Sequence, residues 1–304
     1  MSCRINMRTA VGSHGTVHTP ALLQKRHDAR QTLPALFCDS PGCLAPACFI
    51  AEQAVAGTDR HGPVTVPAHI VLEQGAAHAP GCRYDPRGRL HGILAAVADP
   101  GFLQTLDDGR QELRLLGLQQ ALKRGNATSP LDDYLRTVGA LAVLRALCAD
   151  DTLLAAQLTL RLGKKKVAWD GFFYPQDRYD EACERVASMS SGFPLALAGT
   201  VRSHRSPQAG SGYGPTYLNC TAQYRHGDVA NRHEYFEVSI GHDDAAWLQR
   251  FPVGSEIVML GLWRLGSSQT ATRPHPQDPR RMLSTVTHKL SLRPVSKAQL
   301  IAVD

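Results

Sequence analysis

Cys38-x4-Cys43 and, some thirty-five residues later, His78-x3-Cys82 constrain the fold of this chain more than any other part of it. Three sulfurs and one imidazole nitrogen, held in two close pairs, form a donor set soft enough to select zinc over magnesium or calcium. The segment between the pairs is long enough to fold a hairpin and bring them together. Four protein ligands leave no open coordination position, so a zinc ion here is expected to be structural rather than hydrolytic. Cys48 and His69 lie in the same segment and could replace a member of the four. The alternative is a set of buried or free thiols without metal.

The chain has 304 residues, enough for about two domains. An apolar content of 43% and a charged content of 20% are those of an ordinary globular protein. A formal charge of +6 leans mildly toward polyanionic partners, without the charge density of a histone-like protein. The N-terminus lacks the apolar core of a secretory signal, and the longest apolar run, around Ile93 to Ala98, is too short to span a bilayer. A cytoplasmic location with no membrane partner is therefore expected. The eight cysteines are then read as thiols or metal ligands rather than disulfides. Cys148 and Cys183 fall in helical patterns as buried apolar residues.

Four segments follow from the patterning. Residues 1–31 are a polar, loosely ordered lead-in. Residues 32–125 hold the cysteine-histidine module, with a small sheet made from Leu90–Val97 and Glu112–Leu116, the Asp107-Asp108-Gly109 turn signal lying between them. Residues 126–190 are helical. Ser129 is an N-cap, Pro130 suits the first helical position, and Leu131, Leu135, Val138, Leu141, Leu144 and Leu147 make one apolar stripe. A second helix runs from Asp150-Asp151 through Leu162, with Lys164–Lys166 at its C-terminus. A third spans about Asp177 to Met189.

Residues 191–304 change to a period of two. Five strand-like runs (195–202, 216–222, 234–240, 256–264 and 285–293) surround a short helix at 243–251. Three strands, a helix and two strands is the element order of the five-stranded Greek-key barrel called the OB-fold. The fold expected overall is α+β: a zinc-ribbon-like N-terminal module, a helical middle and a C-terminal five-stranded OB-like β-barrel. On the barrel strands Leu218, Cys220, Ala222, Phe236, Val238, Ile240, Val286, Leu290 and Leu292 alternate as the buried set. Tyr217 and Tyr235 then face outward as stacking platforms for bases, at roughly 1–3 kcal/mol per stacked base. Arg202, His204 and Arg205 lie in one flanking loop, and Arg273, His275, Arg280 and Arg281 in the other. Arg202, Arg205, Arg280, Arg281 and Lys289 are the expected phosphate contacts.

Two resemblances accompany these patterns. The aromatic-Cys-x4-Cys segment, Pro-Ala-His69 and His78-x-x-Gly-Cys82-x-Tyr resemble the N-terminal zinc-ribbon segment of CoiA-like competence proteins. Members of that group can carry a nuclease domain with a metal-binding carboxylate set and a lysine. Asp132, Asp133, Asp150, Asp151 and Asp170 are available, but no Asp-then-Glu-x-Lys arrangement sits on a strand. The run from Trp247 through Phe251-Pro-Val-Gly254-Ser255-Glu256 to Trp263-Arg264 resembles the helix-to-fourth-strand passage of bacterial single-stranded-DNA-binding proteins. With the tyrosine and arginine pattern, the expected function is a non-catalytic accessory protein that binds single-stranded nucleic acid, DNA ahead of RNA; the mix of resemblances adds a bacterial mobile-element setting. A metal-dependent nuclease using the mid-chain aspartates and a protein-interaction adaptor are the competing readings.

Overall fold

The protein is described by a computed structural model over residues 6–55, 64–97, 99–125, 129–148, 151–189, 192–206, 214–226, 232–275 and 278–303. It is a mixed α+β protein with seven α-helices among the described residues. Backbone contacts divide it into two compact units, residues 1–96 with 147–154 and residues 97–146 with 155–304.

The first unit is organised by an antiparallel sheet of β1 (Ala10–Gly12), β2 (Val17–His18), β3 (Leu36–Cys38), β4 (Pro46–Ile50) and β7 (His69–Leu72), in the order β2-β1-β3-β4-β7. A separate hairpin joins β5 (Gln53–Val55) to β6 (Val64–Val66). Residues 10–28, expected to be loosely ordered, hold β1, β2 and helix α1 (Pro20–Asp28). Thr19 caps that helix by accepting from Leu22 N–H, with Pro20 at its start. Only Leu23 of α1 is buried, so the helix left almost no apolar period to read. Residues 90–97, expected as a strand, belong instead to α2 (Pro86–Ala95). Its side-chain cap is Asp85, which accepts from Arg87 N–H, and Pro86 follows. An Asp-Pro start outweighed a short apolar run.

In the second unit a four-stranded sheet has the order β11-β10-β9-β8, from β8 (Leu103–Thr105), β9 (Gln111–Arg114), β10 (Leu158–Leu162) and β11 (Lys165–Val167). The Asp107-Asp108-Gly109 turn joins β8 to β9, with Gly109 at φ 80°, so the partner of β9 is β8 and not residues 90–97. Between β9 and the parallel β10 run α3 (Leu115–Arg124), α4 (Ser129–Leu147) and α5 (Thr152–Gln157). Leu131, Leu135, Val138, Leu141 and Leu144 are fully buried along α4, as the stripe requires, while Leu147 at its end is only half-buried. The side chain of Ser129 and residue Asp150 lie outside what is described. The second helix stops at Gln157, and Leu158–Leu162 is a strand. Gly163, at φ 57°, starts a two-residue hairpin turn into β11 rather than ending a helix, so Lys164–Lys166 are not at a helix C-terminus. Helix α6 (Tyr179–Ser188) follows β12 (Phe173–Tyr174).

The remaining strands form a curled half-barrel sheet with β12. They are β13 (Pro194–Arg205), β14 (Thr216–Cys220), β15 (Gln223–His226), β16 (Arg232–His242), β17 (Glu256–Leu262), β18 (Arg264–Leu265), β19 (Gln269–His275), β20 (Asp278–Leu292) and β21 (Leu300–Ala302). Its path is β18-β20-β16-β14-β13-β17-β21, with β12 beside β13, β15 beside β16 and β19 beside β20. The five predicted runs are thus five of the ten strands of this sheet among the described residues. Helix α7 (Ala245–Leu248), capped by Asp244, lies between β16 and β17. β16 and β20 are parallel over nine residue pairs; the other main neighbours are antiparallel. Leu218, Cys220, Phe236, Val238, Ile240, Val286, Leu290 and Leu292 are buried, as alternation predicts. Ala222 is not, because the second run breaks after Cys220 and resumes as β15.

Candidate functional site

The first site is the cysteine-histidine cluster. Cys38 ends β3, Cys43 lies in the turn to β4, and His78 and Cys82 flank a tight turn in which Gly81 has φ 79°. One ligand atom from each of the four comes within 4.8 Å of all the others. Cys38 Sγ and Cys82 Sγ are 3.6 Å apart, far beyond a disulfide bond. His78 Nδ1 is 3.5 Å from both Cys43 Sγ and Cys82 Sγ. Backbone N–H groups point at the sulfurs: Ser40 at Cys38 (3.5 Å), Ala79 at Cys43 (3.3 Å) and Tyr84 at Cys82 (3.4 Å). Such donors stabilise thiolates. Cys48 Sγ faces the Leu72 carbonyl and His69 Nδ1 the Pro67 carbonyl at 2.9 Å, so neither joins the cluster.

Electrostatics distinguish the four. Burial pushes the Cys38 thiol well up. Cys43 is held below its ordinary value: burial opposes ionisation there, but N–H groups of Ala79 and Ala45 outweigh it. Burial lowers His78, keeping its imidazole neutral and able to donate a lone pair. Around the cluster Arg83 pairs with Asp39 at 2.5 Å and lies over the Tyr84 ring. The arrangement can hold a metal ion. Among the described residues it is the one grouping of three or more potential ligands. Of the mid-chain aspartates, Asp132 accepts from Ser296 Oγ at 2.6 Å and Asp133 pairs with Arg136 at 3.6 Å.

The second site is the outward face of the curled sheet. Tyr217 on β14 is 39% exposed and packs over Gly241, where a Cβ would meet its ring at 3.0 Å. Tyr235 on β16 is half-buried and pairs in register with Tyr224 of β15. Their rings meet edge-on with centroids 5.1 Å apart, and Tyr224 stands equally close to His233. The Tyr224 hydroxyl lies 2.8 Å from His233 Nδ1. Tyr224, 41% exposed, escaped the sequence reading because the break at Thr221-Ala222 hid its strand; the Gln223-Tyr-Arg-His alternation before Gly227 was the available signal. Beneath, Arg225 anchors β15 by pairing with Asp180 at 3.0 Å and Glu234 at 2.7 Å.

The expected cations divide into two groups. A bulge between Val201 and Ser203 turns Arg202 onto this face, where it reaches Glu237 at 3.3 Å. Arg205 is in register with Tyr217, and Lys289 with Glu237. Arg280 and Arg281 sit farther along β20, opposite β19. Arg281 and Arg280 lie six and seven residues before Thr287, the partner of Tyr235, or roughly 20 Å along the strand. They do not share the tyrosine cluster. The side chain of His275 and most of the glycine-rich loop after Arg205 lie outside the described residues.

No family model and no curated protein matches this chain. Among solved structures it is similar to a small single-stranded DNA-binding protein from Streptomyces coelicolor, at 12% identity over 33% of this chain and 89% of that one, with a TM-score of 0.17. A likeness that faint carries no weight for fold or function. No helix among the described residues is long and apolar enough to cross a membrane.

Proposed function

We propose that this protein binds single-stranded nucleic acid, without catalysing a reaction, on the outward face of an OB-type barrel. The observation that carries the reading is the run of Tyr217, Tyr224 and Tyr235 on one face, bordered by Arg202, Arg205 and Lys289. Tyrosines on a sheet offer every base a π-face, and the bordering cations meet phosphates. The strand path β17-β13-β14-β16-β20, with β16 and β20 parallel, fits the five-stranded Greek-key arrangement. The outlying Arg280 and Arg281 then serve a strand that continues past the tyrosines. Zinc is the resident metal we assign to the first unit. Tetrahedral Zn–S bonds of about 2.3 Å and Zn–N bonds of about 2.0 Å place neighbouring ligand atoms roughly 3.5–3.8 Å apart. Three of the six separations, at 3.5 and 3.6 Å, fit that frame, and all six lie within 4.8 Å. Bound there, zinc would cross-link the two turns and hold the unit's fold.

Titration of the full chain with oligo-dT, followed by tyrosine fluorescence, tests the reading. Tyr224→Ala and Tyr235→Ala should each weaken binding by about 1–3 kcal/mol. Their combined loss should be less than the sum, because the rings touch. Wild-type affinity in both variants would sink the proposal.

A further inference from the structure

Arg114, Arg161 and Lys166 stand side by side on β9, β10 and β11. Arg161 is in register with Arg114 on one side and with Lys166 on the other. Gln104, Glu112 and Thr159 form the next row of the same face. The opposite face carries Leu113, Leu160 and Val167, all buried. Like charges directly opposite one another on a sheet repel, so a row of three needs an explanation.

Glu112 supplies part of it. Its side chain, 6% exposed, takes Arg161 Nε at 2.5 Å and Arg114 Nε at 3.3 Å. Gln104 accepts from the outer end of Arg114, and the Lys164 carbonyl accepts from Arg161 Nη1 at 3.4 Å. One buried carboxylate therefore fixes both guanidiniums through their inner nitrogens, while each side chain stays more than a third exposed, at 43% and 37%. Lys164, Lys165 and Lys166 beside them are all exposed. Lysines on β11, an edge strand of this sheet, would also discourage edge-to-edge pairing. That cannot account for arginines on the inner strands β9 and β10.

We infer that this face is a second nucleic-acid contact surface, one that grips the phosphodiester backbone of a duplex. Three strands spaced about 4.8 Å apart make a cationic row of about 10 Å. Glu112 and Thr159 are buried, so the accessible part of the face is the cationic row with Gln104; none of these residues is aromatic, so the contact is to phosphates and takes no account of base identity. It is separate from the tyrosine face, and each can fail without the other.

The test uses the full chain and the variant Lys164→Ala/Lys166→Ala, which leaves the Glu112 pairings intact, with Lys166→Glu as a stronger second change. Binding of a short duplex should weaken about tenfold at low salt, and the slope of log affinity against log salt should flatten by about 1.8 for two lost phosphate contacts. Oligo-dT binding should change less than twofold, whereas the tyrosine variants should lose oligo-dT and keep duplex. Unchanged duplex affinity and slope in both lysine variants would overturn the inference. So would an absence of duplex binding by the wild type at low salt. Displacement of duplex by poly-glutamate as readily as by unlabelled duplex of equal charge would overturn it too, by showing a general polycationic face.

Discussion

Gly199 on β13 leaves the space into which Tyr179 of α6 reaches. A Cβ at residue 199 would lie 2.0 Å from the Tyr179 hydroxyl, which donates to the Ala198 carbonyl at 3.0 Å. Gly199→Ala should therefore cost about 1–3 kcal/mol in a urea titration. Part of that loss should return when Tyr179→Phe is added, since the clashing oxygen is then gone. Cys183 and Cys220 make a second prediction. Burial pushes both thiols up from 9.0 to about 12. A folded pKa above the unfolded one gives stability that is complete below about pH 9 and is lost as pH rises through 9 toward 12. The urea midpoint should fall between about pH 8 and pH 10.5, and native-state alkylation of these two thiols should be negligible at the lower value. The close approach of Tyr179, twenty residues away and on a helix, could not be read from local pattern.

At the scale of elements, the cluster ties the turn after β3 to the turn before α2. Metal binding needs deprotonated thiols and a neutral imidazole, so protons compete with the ion. Mild acid or a strong chelator should release one metal per chain, read by a chromogenic zinc indicator. Protease cleavage within residues 6–97 should rise in step, while β13 to β20 stay protected. Protection of the first unit without metal would contradict the clamp. Elements with a long, clean period were legible in the sequence: α4 by its leucine stripe, β13, β14, β16, β17 and β20 by alternation. The elements that were misread are short or have flanks that override their interior. Asp85-Pro86 turns an apolar run into α2, and Gly163 turns the supposed helix end into the β10–β11 hairpin. The cysteine-histidine cluster was legible because four soft donors in two pairs have few other uses. The aromatic face was legible only in part, since Tyr224 reaches Tyr235 through a pairing that crosses a hairpin.

For the molecule as a whole, the modest formal charge of +6 matters less than where the cations stand. Arg202, Arg205 and Lys289 border the tyrosines, and Arg202 is partly neutralised by Glu237. If these cations meet phosphates, log affinity for oligo-dT should fall against log salt with a slope of about −0.7 for each phosphate contacted, or near −2 for three. A flat response, measured across a salt series, would point to an adaptor surface for protein instead. The parallel pairing of β16 with β20 has a consequence of a different kind. These strands start 46 residues apart in sequence, with α7, β17, β18 and β19 between them. Their nine register pairs can close only after that long excursion has been made, so the entropy of loop closure is lost before the contacts repay it. This pairing is therefore expected to form late and slowly, leaving one edge of β16 uncovered until it does.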